Sequence, residues 1–193
     1  AGARPEQGRN TVQAMAAAIQ NLYAIPRHAD GPTRVNAGLV GGGTATNIIP
    51  EESYIEGEVR GQTTELAEYM SDHADRILDS AAEMHDCEVD VSTLGEAPSA
   101  TSDDALAELV GESAGDVAGV TNIVDSDDLG GSEDATFLMN RVQEQGGLAC
   151  YLGVGTDHPG GHHTTDFDVV EDDIAVGIDV IAGAIRRVAE TRP

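Results

Sequence analysis

The sequence contains no lysine. Its ten basic residues are all arginine, set against 35 Asp and Glu, for a formal net charge of -25 over 193 residues. That balance repels phosphate backbones and anionic lipid headgroups, so it argues against nucleic acid and membrane surfaces as partners. Long apolar runs are missing too: no stretch of about 18 apolar residues is present to cross a bilayer. The opening residues Ala1, Gly2, Ala3, Arg4 and Pro5 offer neither an initiator Met nor the apolar stretch of a signal peptide, so the chain reads as soluble and as starting within something longer. Cysteine is scarce. Cys87 and Cys150 lie far apart, each in an apolar segment, and are expected as buried free thiols in a reducing cytoplasm. No Cys-x-x-Cys pair suggests a structural zinc site. Nor is there a calcium loop of the Asp-x-Asp-x-Asp-Gly type; Asp125, Asp127 and Asp128 come nearest and read as loop and capping residues. Internal repeats and low-complexity segments are absent.

What is present supports a core. Apolar residues make up 40% of the chain, enough for one ordinary domain or two small ones. The acids are scattered through periodic apolar segments and are not gathered in a run, which fits a folded chain with an acidic surface. The physical reading is adaptation to high salt, where self-repulsion is screened within about 3 Å at 1 M. Unfolding in dilute buffer and stabilisation by molar KCl are the expected consequences.

Val12, Met15, Ala16, Ile19, Leu22 and Tyr23 share a helical face that ends before Pro26. Alternation then sets Val35, Ala37 and Leu39 on one side of a strand over 33–40, and a second alternating run covers 54–60 after the Pro50 turn. A stripe of Leu66, Tyr69, Met70, Ala74, Ile77, Leu78 and Ala81 predicts the clearest helix. A strand is expected at Cys87, Val89 and Val91. This order is a split βαββαβ unit lacking its first strand, which is expected upstream of Ala1. Residues 95–102 read as a linker. Beyond them, Thr101 and Asp104 are candidate caps for a helix through Leu106, Leu109 and Val110, and Ser132 for another over 137–142. A buried strand is expected at 148–154. A final helix places Ile174, Ile178, Ile181, Ile185 and Val188 on one face. One strand and three helices look like the end of an α/β domain whose first part lies elsewhere.

Candidate functional residues follow from position. His162 and His163 sit in a Gly-rich loop after the strand expected at 148–154, where ligands of open α/β sheets collect and imidazoles bind metals; solvated polar residues are the plainer reading. Gly130, Gly131, Ser132, Glu133 and Asp134 open a helix, as either an anion site or a capped first turn. Asn47 and Arg60 flank a strand start and a strand end. Arg60 suits a carboxylate through its planar fork, and a surface ion pair equally.

Several motifs occur in order. Gly131-Ser132-Glu133-Asp134-Ala135-Thr136 runs on to Asn140-Arg141-Val142-Gln143, Gly146-Gly147, Tyr151, Gly155 and Gly161-His162-His163 ahead of Asp166-Phe167-Asp168. Upstream lie Ala1 to Glu6, Gly8-Arg9-Asn10, Ile25-Pro26-Arg27-His28, Gly42-Gly43-Thr44, Asn47-Ile48-Ile49-Pro50 and Glu58-Val59-Arg60-Gly61. Over essentially the whole chain these resemble the M20 metallopeptidase family, and within it the aminobenzoyl-glutamate hydrolase branch. The resemblance implies a mixed α/β (α+β) fold: a ferredoxin-like βαββαβ lid or dimerisation domain, first strand missing, over 1–97, and the C-terminal part of an α/β zinc-peptidase-like catalytic domain over 98–193. It implies His163, or His162 if the register slips by one, as a metal ligand. Arg60 would grip the substrate carboxylate, Asn47 would reach the scissile carbonyl, often across a homodimer, and Gly131 and Ser132 would line the pocket. Two divalent ions, zinc or manganese, would serve each complete site. The other ligands, the bridging carboxylate, the catalytic glutamate and the lid histidine would all lie upstream, so the chain alone is expected to be inactive. The substrate implied is an N-acyl amino acid such as aminobenzoyl-glutamate. The competing reading is a non-catalytic dimerisation or binding module.

Overall fold

The strongest helical pattern in the sequence forms the longest helix of the N-terminal region, Thr64–Met84, whose first turn is capped by Thr63 accepting from the Leu66 amide. It belongs to a computed structural model that describes residues 3–129, 133–157, 160–161 and 164–191 and separates into two compact units, 1–99 and 100–193. The chain is mixed α/β with one small sheet of two strands among the described residues.

In the first unit a 3-10 turn, Pro5–Gln7, precedes α1 (Thr11–Leu22), which Asn10 caps by accepting from Gln13. Pro5 therefore opens its own short turn and not the helix. Strands β1 (Thr33–Gly42) and β2 (Ser53–Gly61) pair antiparallel, and the helix Thr64–Met84, here α2, follows. Val35 and Val59 lie opposite each other and pack beneath Leu22, Ile25, Met70 and Ala74, with Tyr69, Ile77 and Leu78 alongside; Met70 is wholly buried. Side chains alternate across a strand, so Arg34, Asn36, Glu58 and Arg60 stand on the opposite, open face, and all four are exposed. The ladder shifts register between Ala37 and Leu39, leaving Gly38 as the extra residue of a bulge. Beside the bulge, Tyr23 Oη accepts from the Ala37 amide and donates to Asn36 Oδ1, both at 3.0 Å. Gly57 faces this point, and a Cβ there would stand 2.5 Å from the Asn36 carbonyl oxygen.

Three expectations for this unit change. The inward face of α1 is built from Ala14, Ala18 and Leu22, while Ala16 and Tyr23 are exposed; two of the three buried side chains are alanine. The strand predicted at Cys87, Val89 and Val91 does not form. Alternation marks half-buried faces, but a strand also needs a neighbour to pair with, and none adjoins this segment among the described residues. Cys87 is free but only half-buried, as is Cys150 in the second unit.

In the second unit, α3 (Asp104–Asp116), α4 (Ala135–Glu144) and α5 (Glu171–Thr191) form where helices were expected, though the N-cap of α4 is Asp134 and not Ser132. Helix α3 packs on α5 where Gly183 leaves room for the buried Ser113, whose hydroxyl donates to the Val180 carbonyl at 2.8 Å. Arg187 closes the far end on Glu112 and Asp116. The cap of α3 is Asp103, not Thr101 or Asp104, and its carboxylate is turned elsewhere: it accepts from the Ala149 amide at 2.7 Å and the Gln143 side chain at 2.8 Å. The strand expected at 148–154 is absent. This segment is fastened by Asp103 and by Ser102, which accepts from the Tyr151 amide, and no strand lies beside it among the described residues. Ile174, Ile178, Ile181 and Ile185 share a face of α5 as expected, yet that face is exposed; the buried side of α5 carries Gly177, Val180 and Ala184, with Val154 against Gly177 and Ser113 of α3 against Gly183.

Candidate functional site

Of the residues singled out from sequence, Asn47 and Arg60 are described; Gly131, Ser132, His162 and His163 lie outside the described residues. Asn47 is exposed in the connection between β1 and β2. That connection turns at Gly43, whose φ of 78° favours glycine, with the Gly43 amide donating to Glu52 O. It is tied to α1 through Thr11, whose amide and hydroxyl both donate to the Pro50 carbonyl, and through Ser53 Oγ donating to Thr11 O. The position of Asn47 is therefore fixed from outside the loop as well as within it.

Arg60 lies at the other end of the hairpin, where its Nη2 donates to Glu58 Oε2 at 2.8 Å. The surface ion pair foreseen as one of its two readings is thus present. Seven residues of strand separate Ser53 from Arg60, about 24 Å at the usual rise. Within one copy Asn47 lies in the connection at the closed end of the hairpin and Arg60 near its open end. Directly opposite Arg60 in the register stands Arg34, with Asn36 opposite Glu58. Arg34 escaped notice in the sequence because its meaning depends on the register of the pair, which a single strand does not reveal.

The described residues that flank His162 and His163 in the sequence make several hydrogen bonds. Asp173 Oδ2 accepts from the Thr156 hydroxyl at 2.8 Å and from the Asp157 amide, while Thr156 Oγ1 accepts from the Val170 amide at the start of α5. Further along, Thr164 donates through its hydroxyl and amide to the Gly161 carbonyl. Thr156 and Asp173 thus tie residues 156–157 to the start of α5, and their separation of 17 positions gave no local signal. Among the described residues no group of three or more His, Cys, Asp or Glu side chains could hold a metal ion. They do not by themselves meet the requirements of the divalent centre the resemblance implies.

Comparison with known proteins supplies the rest. The chain is 36% identical over 183 residues to indole-3-acetyl-aspartic acid hydrolase of Enterobacter agglomerans, covering 94% of this chain and 42% of that one. It is 34% identical to a p-aminobenzoyl-glutamate hydrolase component of Escherichia coli, with the same coverage of each. The crystal structure of the aminobenzoyl-glutamate utilization protein of Klebsiella pneumoniae superposes with a TM-score of 0.81 at 33% identity, over 95% of this chain and 44% of that chain. The chain thus spans less than half the length of these relatives. The family model described as peptidase family M20/M25/M40 matches residues 5–187, and the chain belongs to that family.

Proposed function

We propose that this chain is part of a metal-dependent amidohydrolase that cleaves the amide bond of an N-acyl amino acid such as aminobenzoyl-glutamate. The observation that carries the reading is the family match across residues 5–187, together with relatives whose names specify acyl derivatives of aspartate and glutamate. In this reading residues 1–97 are a ferredoxin-like lid and dimerisation domain, and 98–193 are the C-terminal portion of a catalytic domain. Arg60 binds the substrate carboxylate, for which its fork geometry is suited. Asn47 donates its amide N–H to the scissile carbonyl. The hairpin places these two residues toward its opposite ends in one copy, and in this reading two copies of a homodimer each contribute one of them to a substrate. Gly131 and Ser132 line the pocket, and His163, with His162 as the alternative, contributes to a zinc or manganese centre of two ions whose role is to activate water and polarise the carbonyl. The other ligands and the proton-transferring glutamate are not among this chain's assigned residues.

The chain in molar KCl, given p-aminobenzoyl-glutamate with Zn²⁺ or Mn²⁺, is therefore expected to bind the substrate weakly and release no p-aminobenzoate. Arg60→Ala should weaken binding about tenfold, the loss of one charge-assisted contact of about 1.4 kcal/mol. Hydrolysis by the chain alone would overturn its assignment as an incomplete site, and binding indifferent to Arg60 would overturn the clamp. A non-catalytic dimerisation or binding module is favoured by one observation: among the described residues no third strand pairs with the outer edge of β1 or β2. Metal-independent association of the chain in sedimentation, with no substrate binding at all, would select that reading.

A further inference from the structure

The open face of the hairpin sets two guanidinium groups against each other. Arg34 and Arg60 are directly paired in the register, on the side of the sheet away from the valines that meet the core. Directly opposed residues have Cα atoms about 4.5–5.5 Å apart, and like charges in that relation are destabilising. The cost stands out in this chain, where only six arginines occur in residues 1–99 among sixteen Asp and Glu. An acid opposite Arg34 would have relieved it. Instead the one carboxylate paired to this cluster, Glu58, takes Arg60 Nη2, and Arg34 has no ionic partner among the described residues. Asn36, on the same face, accepts from Tyr23 through its Oδ1, which leaves its NH2 group as a further donor. Departures from local stability rules that have no structural compensation are expected at functional or strained sites.

We infer that Arg34 and Arg60 together form a site for a dicarboxylate: Arg60 takes one carboxylate of an acidic amino acid and Arg34 the other. The inference rests on the amidohydrolase reading above and refines it. A single guanidinium recognises any N-acyl amino acid by the carboxylate they all share, whereas two opposed guanidinium groups select those with a second carboxylate on the side chain. Glu58 keeps Arg60 oriented and brings the local charge to +1, so a dianion is favoured over a monoanionic analogue. The scarcity of other cations in the unit sharpens that preference.

The full chain in 1 M KCl is titrated with N-acetyl-L-glutamate and with N-acetyl-L-glutamine, following the arginine side-chain N–H resonances. N-acetylglutamate is expected to bind at least fivefold more tightly than N-acetylglutamine. Arg34→Gln should erase that preference, and Arg34→Lys should restore part of it. Because the substitution relieves a like-charge pair, Arg34→Gln should leave the melting temperature unchanged or raise it, whereas a purely structural arginine would lower it. Equal affinities in the native chain, or a preference that survives Arg34→Gln, would overturn the dicarboxylate site. If Arg60→Ala still removed binding of both ligands in that case, the single-carboxylate clamp would stand. Failure of the native chain to bind either compound would overturn both.

Discussion

In residues 1–99 two helices close over a hairpin and bury Met70 completely, whereas in residues 100–193 helix meets helix and the isoleucines of α5 stay on the surface. Both regions carry regular apolar spacing in their sequences. The difference lies in what each region has to cover it: a sheet offers a broad face to two helices at once, while α3 covers one narrow side of α5 with Ser113 against Gly183. Apolar periodicity thus reports which side of an element seeks burial, and the presence of a second layer decides whether it gets it.

Charge widens the contrast. Residues 1–99 carry 16 Asp and Glu against 6 Arg, a net -10, and residues 100–193 carry 19 against 4, a net -15. The region with the smaller core also has the greater self-repulsion. Dilution from 1 M to 0.1 M KCl lengthens the screening distance from about 3 Å to about 10 Å and brings neighbouring carboxylates into each other's range. Unfolding at low salt is the largest effect expected, with amide protection lost first in α3 and α5 and later in α1 and α2. Hydrogen exchange across a salt series tests this, and a chain whose protection and melting temperature ignore salt would remove the high-salt reading altogether.

Two truncations compare the regions at single residues. Met70→Ala removes a side chain with no solvent exposure from between α2 and the hairpin, and should cost about 2–5 kcal/mol. Ile178→Ala removes a side chain 60% exposed, and should change stability by no more than about 0.5 kcal/mol. Urea titration in molar KCl measures both. Comparable losses would mean that the isoleucine face of α5 is covered in solution, and the contrast between the regions would disappear.

The helices were legible because their signals are local. The stripe from Leu66 to Ala81 and the Thr63 cap lie within one stretch of chain, as does the Ile174–Ile185 spacing of α5. The hairpin was legible too, since glycines and Pro50 separate two alternating runs. What the sequence did not carry was partnership between distant segments. The expected strands at 87–91 and 148–154 have the right composition but no neighbour among the described residues, and a ladder is a property of two segments. For the same reason Arg34 drew no attention until the register placed it across from Arg60. The Asp103 junction was missed as well: it unites residues 46 apart in the chain, and a capping reading of Thr101 and Asp104 could not foresee it.

That junction yields the smallest effect and the sharpest distinction between the regions. The Asp103 carboxyl is held below the ordinary aspartate range, chiefly by the Ala149 amide and then by the Gln143 side chain, against an opposing push from burial. Glu65 is lowered likewise, by its own backbone amide and the Thr63 hydroxyl, but those groups all belong to the first turn of α2. A carboxyl more readily ionised in the folded than in the unfolded chain adds stability that is complete above its unfolded pKa. That stability is lost as pH falls from about 4 through the lower folded value. Asp103→Asn should therefore lower the stability of residues 100–193 at neutral pH and flatten their decline in acid, because it loosens segments 101–103, 143 and 149 from one another together. Glu65→Gln should alter only the first turn of α2. Hydrogen exchange between pH 7 and pH 3 at high salt separates the two. An acid limb in α3 and α4 that Asp103→Asn leaves unchanged would show that some other contact holds the second region together.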